Sequence, residues 1–84
     1  MMNVEKLKKT IEIAGEKTIV GLLSHMQYSE REDVRILLER EKKALTIKNI
    51  VDVLSENNSL LWGVYIHAQE AEKQELEKLA EHVA

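Results

Sequence analysis

Leu60-Leu61-Trp62-Gly63-Val64-Tyr65-Ile66 is the stretch on which the reading of the fold turns. It holds the single Trp and one of the two Tyr of a chain without Phe. Read as the start of the last helix, at about 100° per residue, it points apolar side chains in almost every direction and leaves only Gly63 on the remaining side. A helix that is apolar all round is buried all round. This turn and a half therefore belongs in the middle of a bundle or in the middle of a subunit interface.

Downstream the pattern narrows to one stripe, in which Leu61, Tyr65, Ala68, Leu76, Leu79 and Val83 recur at helical spacing. Glu72 falls on this stripe, which places it at most partly buried. Upstream, Ser55-Glu56-Asn57-Asn58-Ser59 is a break: Asn tolerates the left-handed conformation at helix ends, and Ser59 is a suitable N-cap. The last helix is expected over about 59–83. Ser29-Glu30-Arg31-Glu32 has the form of a capping box, with acidic residues favourably placed in the first turn, and opens a second helix over about 30–55. Its apolar set is first Val34, Leu37, Leu38, Ala44 and Leu45, then Ile47, Ile50, Val51 and Leu54. The second set is rotated by about 140° on a continuous helix. With neither Gly nor Pro between Lys42 and Lys48, one continuous or kinked helix is expected. The alternative is an end at Leu45 and a restart with Thr46 as N-cap and Leu45 and Ile50 in staple positions. The first helix, over about 3–27, starts at Asn3 and carries Val4, Leu7, Ile11, Ala14, Gly15, Thr18, Leu22 and His25 on one face. No internal repeat, linker or low-complexity tract stands out.

These elements make an all-α fold, a small three-helix bundle (four-helix if the middle helix divides), as a single domain over 1–84. With 84 residues the chain buries only about 60–65% of its unfolded surface. A second copy is therefore an expected source of further burial. Leu61, Tyr65 and Ala68 serve the stripe within one chain, whereas Trp62 and Ile66 point about 100° or more away from it. Trp62, Gly63 and Ile66 are accordingly the expected partner-binding residues of a homodimer, with the helix 47–54 as the competing cover.

The chain contains no Cys, which removes disulfides and thiolate metal sites and suits a reducing compartment. No apolar run approaches the roughly 20 residues of a membrane span, and the N-terminal residues lack the apolar core of a signal peptide. The expected location is cytoplasmic, without membrane association. A net charge of −3 does not suit a dedicated nucleic-acid binder. The nearest basic group, Arg40, Lys42, Lys43 and Lys48, is expected to be a solvated face, with Glu39 and Lys43 spaced for a surface ion pair.

Candidate chemistry is sparse. His67 and Glu70 have the i, i+3 spacing of two ligands on one metal, but no facing helix offers matching carboxylates on an apolar face except Glu41. His25 reads as a hydrogen-bonded histidine at a helix end. There is no phosphate-binding glycine loop and no nucleophile motif. Neither an enzyme nor a cofactor or metal is expected. Residues 46–70 have the lengths of a helix-turn-helix, the alternative reading as a DNA-binding regulator, yet the second helix would present Leu-Leu-Trp-Gly-Val-Tyr-Ile where base edges require polar side chains. Leu7-Lys8-Lys9-Thr10-Ile11, Glu16-Lys17 and Leu22-Leu23 are similar in rhythm to the opening helix of the small helical chorismate mutases. That resemblance implies an intertwined three-helix dimer and a remote alternative function as such an enzyme. His25 stands where that family places an Arg. The leading expectation is a small helical protein–protein interaction module: a homodimeric adaptor, or a regulator or inhibitor of a larger protein.

Overall fold

The computed structural model describes residues 2–83, so the ends of the expected domain, Met1 and Ala84, lie outside the described residues. Among these, all regular structure is helical. Each of the three expected helices is divided, giving α1 Val4–Ile13, α2 Glu16–Ser24, α3 Tyr28–Arg40, α4 Ile47–Glu56, α5 Asn58–Ile66 and α6 Glu70–Ala80.

The first division falls at Ala14 and Gly15, both extended, with ψ of 142° and 157°. Gly15 is about 1 kcal/mol less favourable than Ala inside a helix, so the chain stops here at little cost. Asn3 caps α1 as expected, accepting the Lys6 N–H at 2.9 Å. The second start lies earlier than the Ser29 box implies. Gln27 is the N-cap of α3, and Glu30, three residues on, accepts its backbone N–H at 2.8 Å. Glu32, the supposed partner of Ser29, instead holds Arg35 at 2.7 Å.

The long middle helix ends at Arg40. Lys42 adopts φ 57°, the left-handed conformation. The Lys43 N–H then reaches back to the Leu38 carbonyl (2.9 Å) and the Lys42 N–H to that of Glu39 (3.1 Å). This is a Schellman ending with Lys where Gly is the usual residue. The stop needs neither Gly nor Pro because the backbone hydrogen bonds and the turned apolar set outweigh one strained residue. Lys42→Gly should accordingly raise stability by about 0.5–1 kcal/mol, read as a higher urea midpoint at unchanged slope. The restart is the alternative described above: Thr46 accepts the Asn49 N–H at 3.1 Å.

Asn57 alone separates α4 from α5, and its side chain accepts the Leu60 N–H at 3.3 Å. Ser59 therefore lies inside α5 rather than capping it. The last division follows His67 and Ala68, where Gln69 caps α6 and Glu72 accepts its N–H at 3.3 Å.

α5 packs against α1, α2, α3 and α4. The apolar heptapeptide is thus central through Leu61, Val64 and Tyr65, but it is not buried all round: Leu60, Trp62 and Gly63 are half-buried and Ile66 is exposed. Leu61, Val64 and Tyr65 are buried, joined by Leu7, Leu22, Leu54 and Leu76 in one core. No helix among the described residues is long and apolar enough to cross a membrane.

The order of helices conceals an internal repeat, which corrects the expectation that there is none. α1-α2-α3 and α4-α5-α6 follow the same pattern of lengths and junctions. Gly21, His25, Gln27, Glu30, Leu37 and Glu39 reappear 42 residues later as Gly63, His67, Gln69, Glu72, Leu79 and Glu81. The N-caps Asn3 and Thr46 set an offset of 43 for the first helices. The units interlock rather than sit side by side. α1 packs on α6 while α4 packs on α3, and α2 packs on α6 while α5 packs on α3. Contacts exchanged in this way, with i touching j and j touching i, are the mark of a two-fold relation, here within one chain.

Candidate functional site

The residues that repeat are those that hold the two units together. Glu30 lies in the first turn of α3, where the helix N-terminus favours a carboxylate. One oxygen takes the Gln27 N–H and the other lies 2.9 Å from His67 Nδ1 at the end of α5. Glu30 is only 6% exposed, and these two partners explain how a carboxylate is kept there. Glu72 repeats the arrangement in part at the start of α6: a single oxygen takes the Gln69 N–H and lies 2.9 Å from His25 Nδ1. This is why Glu72 falls on an apolar stripe and is still accommodated.

The glycines complete the pattern. A Cβ on Gly63 would stand 3.2 Å from Glu30 Oε2, and one on Gly21 would stand 3.7 Å from Glu72 Cγ. At Gly63 the absent side chain is what admits the carboxylate. His25 Nδ1 also lies 2.9 Å from the Gly21 carbonyl, which can only accept, so Nδ1 carries the proton. A carboxylate facing His67 Nδ1 assigns the same tautomer there. In the neutral rings, Nε2 of both histidines is left bare.

Such carboxylate-oriented imidazoles are known supports for metals and bases. Among the described residues, however, no three His, Cys, Asp or Glu side chains gather as a metal set. His67 and Glu70 do not act together: His67 ends α5 and turns to Glu30, while Glu70 opens α6. His25 is the hydrogen-bonded helix-end histidine expected, its bond going to the Gly21 carbonyl, with the Glu72 carboxylate also 2.9 Å from Nδ1. The signal that could have located both pairs is His-x-Gln-x-x-Glu, which occurs at 25–30 and again at 67–72.

Lys43 and Lys48 of the basic cluster are paired with carboxylates. Lys43 pairs with Glu41 at 3.2 Å rather than with Glu39, which holds Arg35 at 2.6 Å, and Lys48 pairs with Asp52 at 3.6 Å. The neighbouring carboxylates raise the pKa values of Arg35 and Lys43, mainly through the hydrogen bonds these side chains donate to Glu32 and to Glu41 respectively.

The expected partner-binding residues have different fates. Gly63 faces Glu30 of its own chain. Trp62 is half-buried at the edge of the core, its ring tilted against Tyr65 with centroids 5.3 Å apart. Ile66 remains 44% exposed.

The two corners built by equivalent residues are finished differently. In the corner made by α5, α6 and α1, Tyr65, Ala68, Leu76 and Leu7 are all buried. The Tyr65 hydroxyl donates to Glu77 at 3.1 Å. Burial first, and then this bond, push the Tyr65 pKa up to about 12. In the corner made by α2, α3 and α4, the equivalent positions are Leu23, Met26, Val34 and Ile50. Leu23 and Ile50 are only half-buried there. They line a groove of about 460 Å³ with Tyr28, Arg31, Glu32, Arg35 and Leu45. Tyr28 and Leu45 are 76% and 77% exposed. Periodicity could not separate these two corners, because the difference lies in Leu23 standing where Tyr65 stands.

Comparison with protein-family models, with curated proteins and with solved structures gives no match.

Proposed function

We propose that the protein is a small helical protein–protein interaction module, an adaptor or a regulator of a larger protein, that works by packing apolar surface rather than by catalysis. The observation that carries this reading is the open corner. Two equivalent sites exist in one chain, and only one of them is closed by the chain's own residues. Adjoining exposed apolar side chains in a soluble domain mark an interaction surface. Both His–Glu pairs are engaged in joining the two units, which gives them a structural task.

The DNA-binding alternative is not favoured, since α5, its would-be recognition helix, has Leu61, Val64 and Tyr65 buried and follows α4 after a single residue. The chorismate-mutase-like alternative loses the long opening helix on which its rhythm was drawn, because that helix stops at Ile13.

Self-association is part of the proposal, with Ile66 and the exposed part of Trp62 on the contact face. Ile66→Glu should place an unpaired charge in that contact and convert a micromolar dimer to a folded monomer in sedimentation equilibrium. A wild-type protein that sediments as a monomer would remove the homodimer. A variant that unfolds would show Ile66 to be core.

A further inference from the structure

We propose that two copies of this chain exchange their three-helix units: the connection between α3 and α4 straightens into one helix over about 28–56, and each unit interlocks with the other unit of the second copy. The contact is separate from the one at Ile66. The packing allows the exchange because it lies almost wholly between the units. Of the principal helix pairs only α4 with α5 falls within a unit; α1 with α5 and α6, α2 with α5 and α6, and α3 with α4 and α5 all cross from one unit to the other. Both His–Glu pairs cross as well. Each of these contacts can be made with a second copy as well as within one chain.

The connection can close either way. Residues 41–46 hold neither Gly nor Pro, and Glu41, Lys42, Lys43, Ala44 and Leu45 are all good helix formers. In the single chain they turn back through Lys42 at φ 57°, which strains a residue bearing a Cβ. Straightening leaves no backbone partner behind. The carbonyls of Leu38 and Glu39 now accept from Lys43 and Lys42 respectively. In a continuous helix the same two carbonyls accept from Lys42 and Lys43, four residues on. The Asn49 N–H passes from the Thr46 hydroxyl to the Leu45 carbonyl, and the Ala44 carbonyl passes from the Asn49 side chain to the Lys48 N–H. Leu45, 77% exposed in the single chain, stands seven residues after Leu38 and eleven after Val34. On the straightened helix it continues their buried stripe.

The test uses the full chain, refolded from urea at a series of concentrations from an equal mixture of carbon-13-labelled and unlabelled copies. The dimer is isolated by gel filtration, and contacts between labelled and unlabelled copies are read from isotope-filtered proton–proton transfer. Exchange predicts contacts between copies that join α1 to α6 and α3 to α4. Lys42→Gly should raise the concentration at which half the chains are dimeric by about a hundredfold, about tenfold for each of the two hinges, because Gly relieves the left-handed turn and weakens the continuous helix. Lys42→Ala keeps the Cβ and should dimerise at least as well as the wild type. Contacts between copies confined to Ile66 and Trp62 would overturn the exchange and leave the self-association proposed above standing. A chain that stays monomeric at millimolar concentration would overturn both. Exchange contacts that Lys42→Gly leaves undiminished would overturn the straightened hinge.

Discussion

Leu61→Ala is expected to lower stability by about 3–4 kcal/mol, the largest effect of any single truncation here. Leu61 is 0% exposed and lies on α5, the helix that four others cover. Shortening it opens a cavity that none of those four helices can close without leaving its own neighbours. Domains of this size have only about 5 kcal/mol of stability in total, so the variant should be close to unfolding at room temperature. Ile66→Ala, one turn further on the same helix, is expected to change stability by no more than about 0.5 kcal/mol, because Ile66 is largely in solvent in the single chain. Urea titrations of the two variants provide the check. Equal losses would contradict the placement of α5 at the centre.

Glu30→Ala is expected to cost about 2 kcal/mol, and Glu72→Ala less. Removing the Glu30 carboxylate leaves two donors, the Gln27 N–H and His67 Nδ1–H, facing an apolar methyl in a poorly solvated place. Glu72 takes the Gln69 N–H at a longer 3.3 Å and faces a His25 Nδ1–H that is bonded to the Gly21 carbonyl, and its side chain is 14% exposed against 8% for Glu30, so water can replace more of what is lost. The loss in Glu30→Ala should be shared with His67→Ala: the double variant is expected to be less damaged than the sum of the two, by an amount of order 1 kcal/mol. Strict additivity of the two changes would mean that the pair across the units contributes nothing.

The sequence made some of this plain and hid the rest for identifiable reasons. Helical class, the central place of the 60–66 stretch and the break around Asn57 follow from periodicity and from residues with strong end preferences. The caps Asn3 and Thr46 were legible for the same reason. Gln27 and Gln69 were not, because Gln is a weak N-cap by side-chain preference, and Ser29 and Ser59 nearby are stronger ones. At both starts the deciding interaction is the glutamate three residues on, whose burial depends on a histidine 37 or more residues away. The end of α3 at a left-handed Lys42 breaks the usual glycine rule, so no local signal marks it. The repeat was visible only as six scattered identities; their meaning emerges when His25 is found on Glu72 and His67 on Glu30. The open corner could not be read at all, since Leu23 and Tyr65 are both apolar, and only their surroundings tell them apart.

Two copies of one helical unit interlock through reciprocal histidine–glutamate pairs. The most direct measurement is a long-range proton–nitrogen spectrum of the histidine side chains, recorded above the pH at which the rings lose their second proton. Both His25 and His67 should carry their remaining proton on Nδ1, with Nε2 bare, while the exposed His82 gives a spectrum distinct from theirs. A proton on Nε2 of either His25 or His67 would contradict the pairing, and with it the interlocked arrangement of the two units.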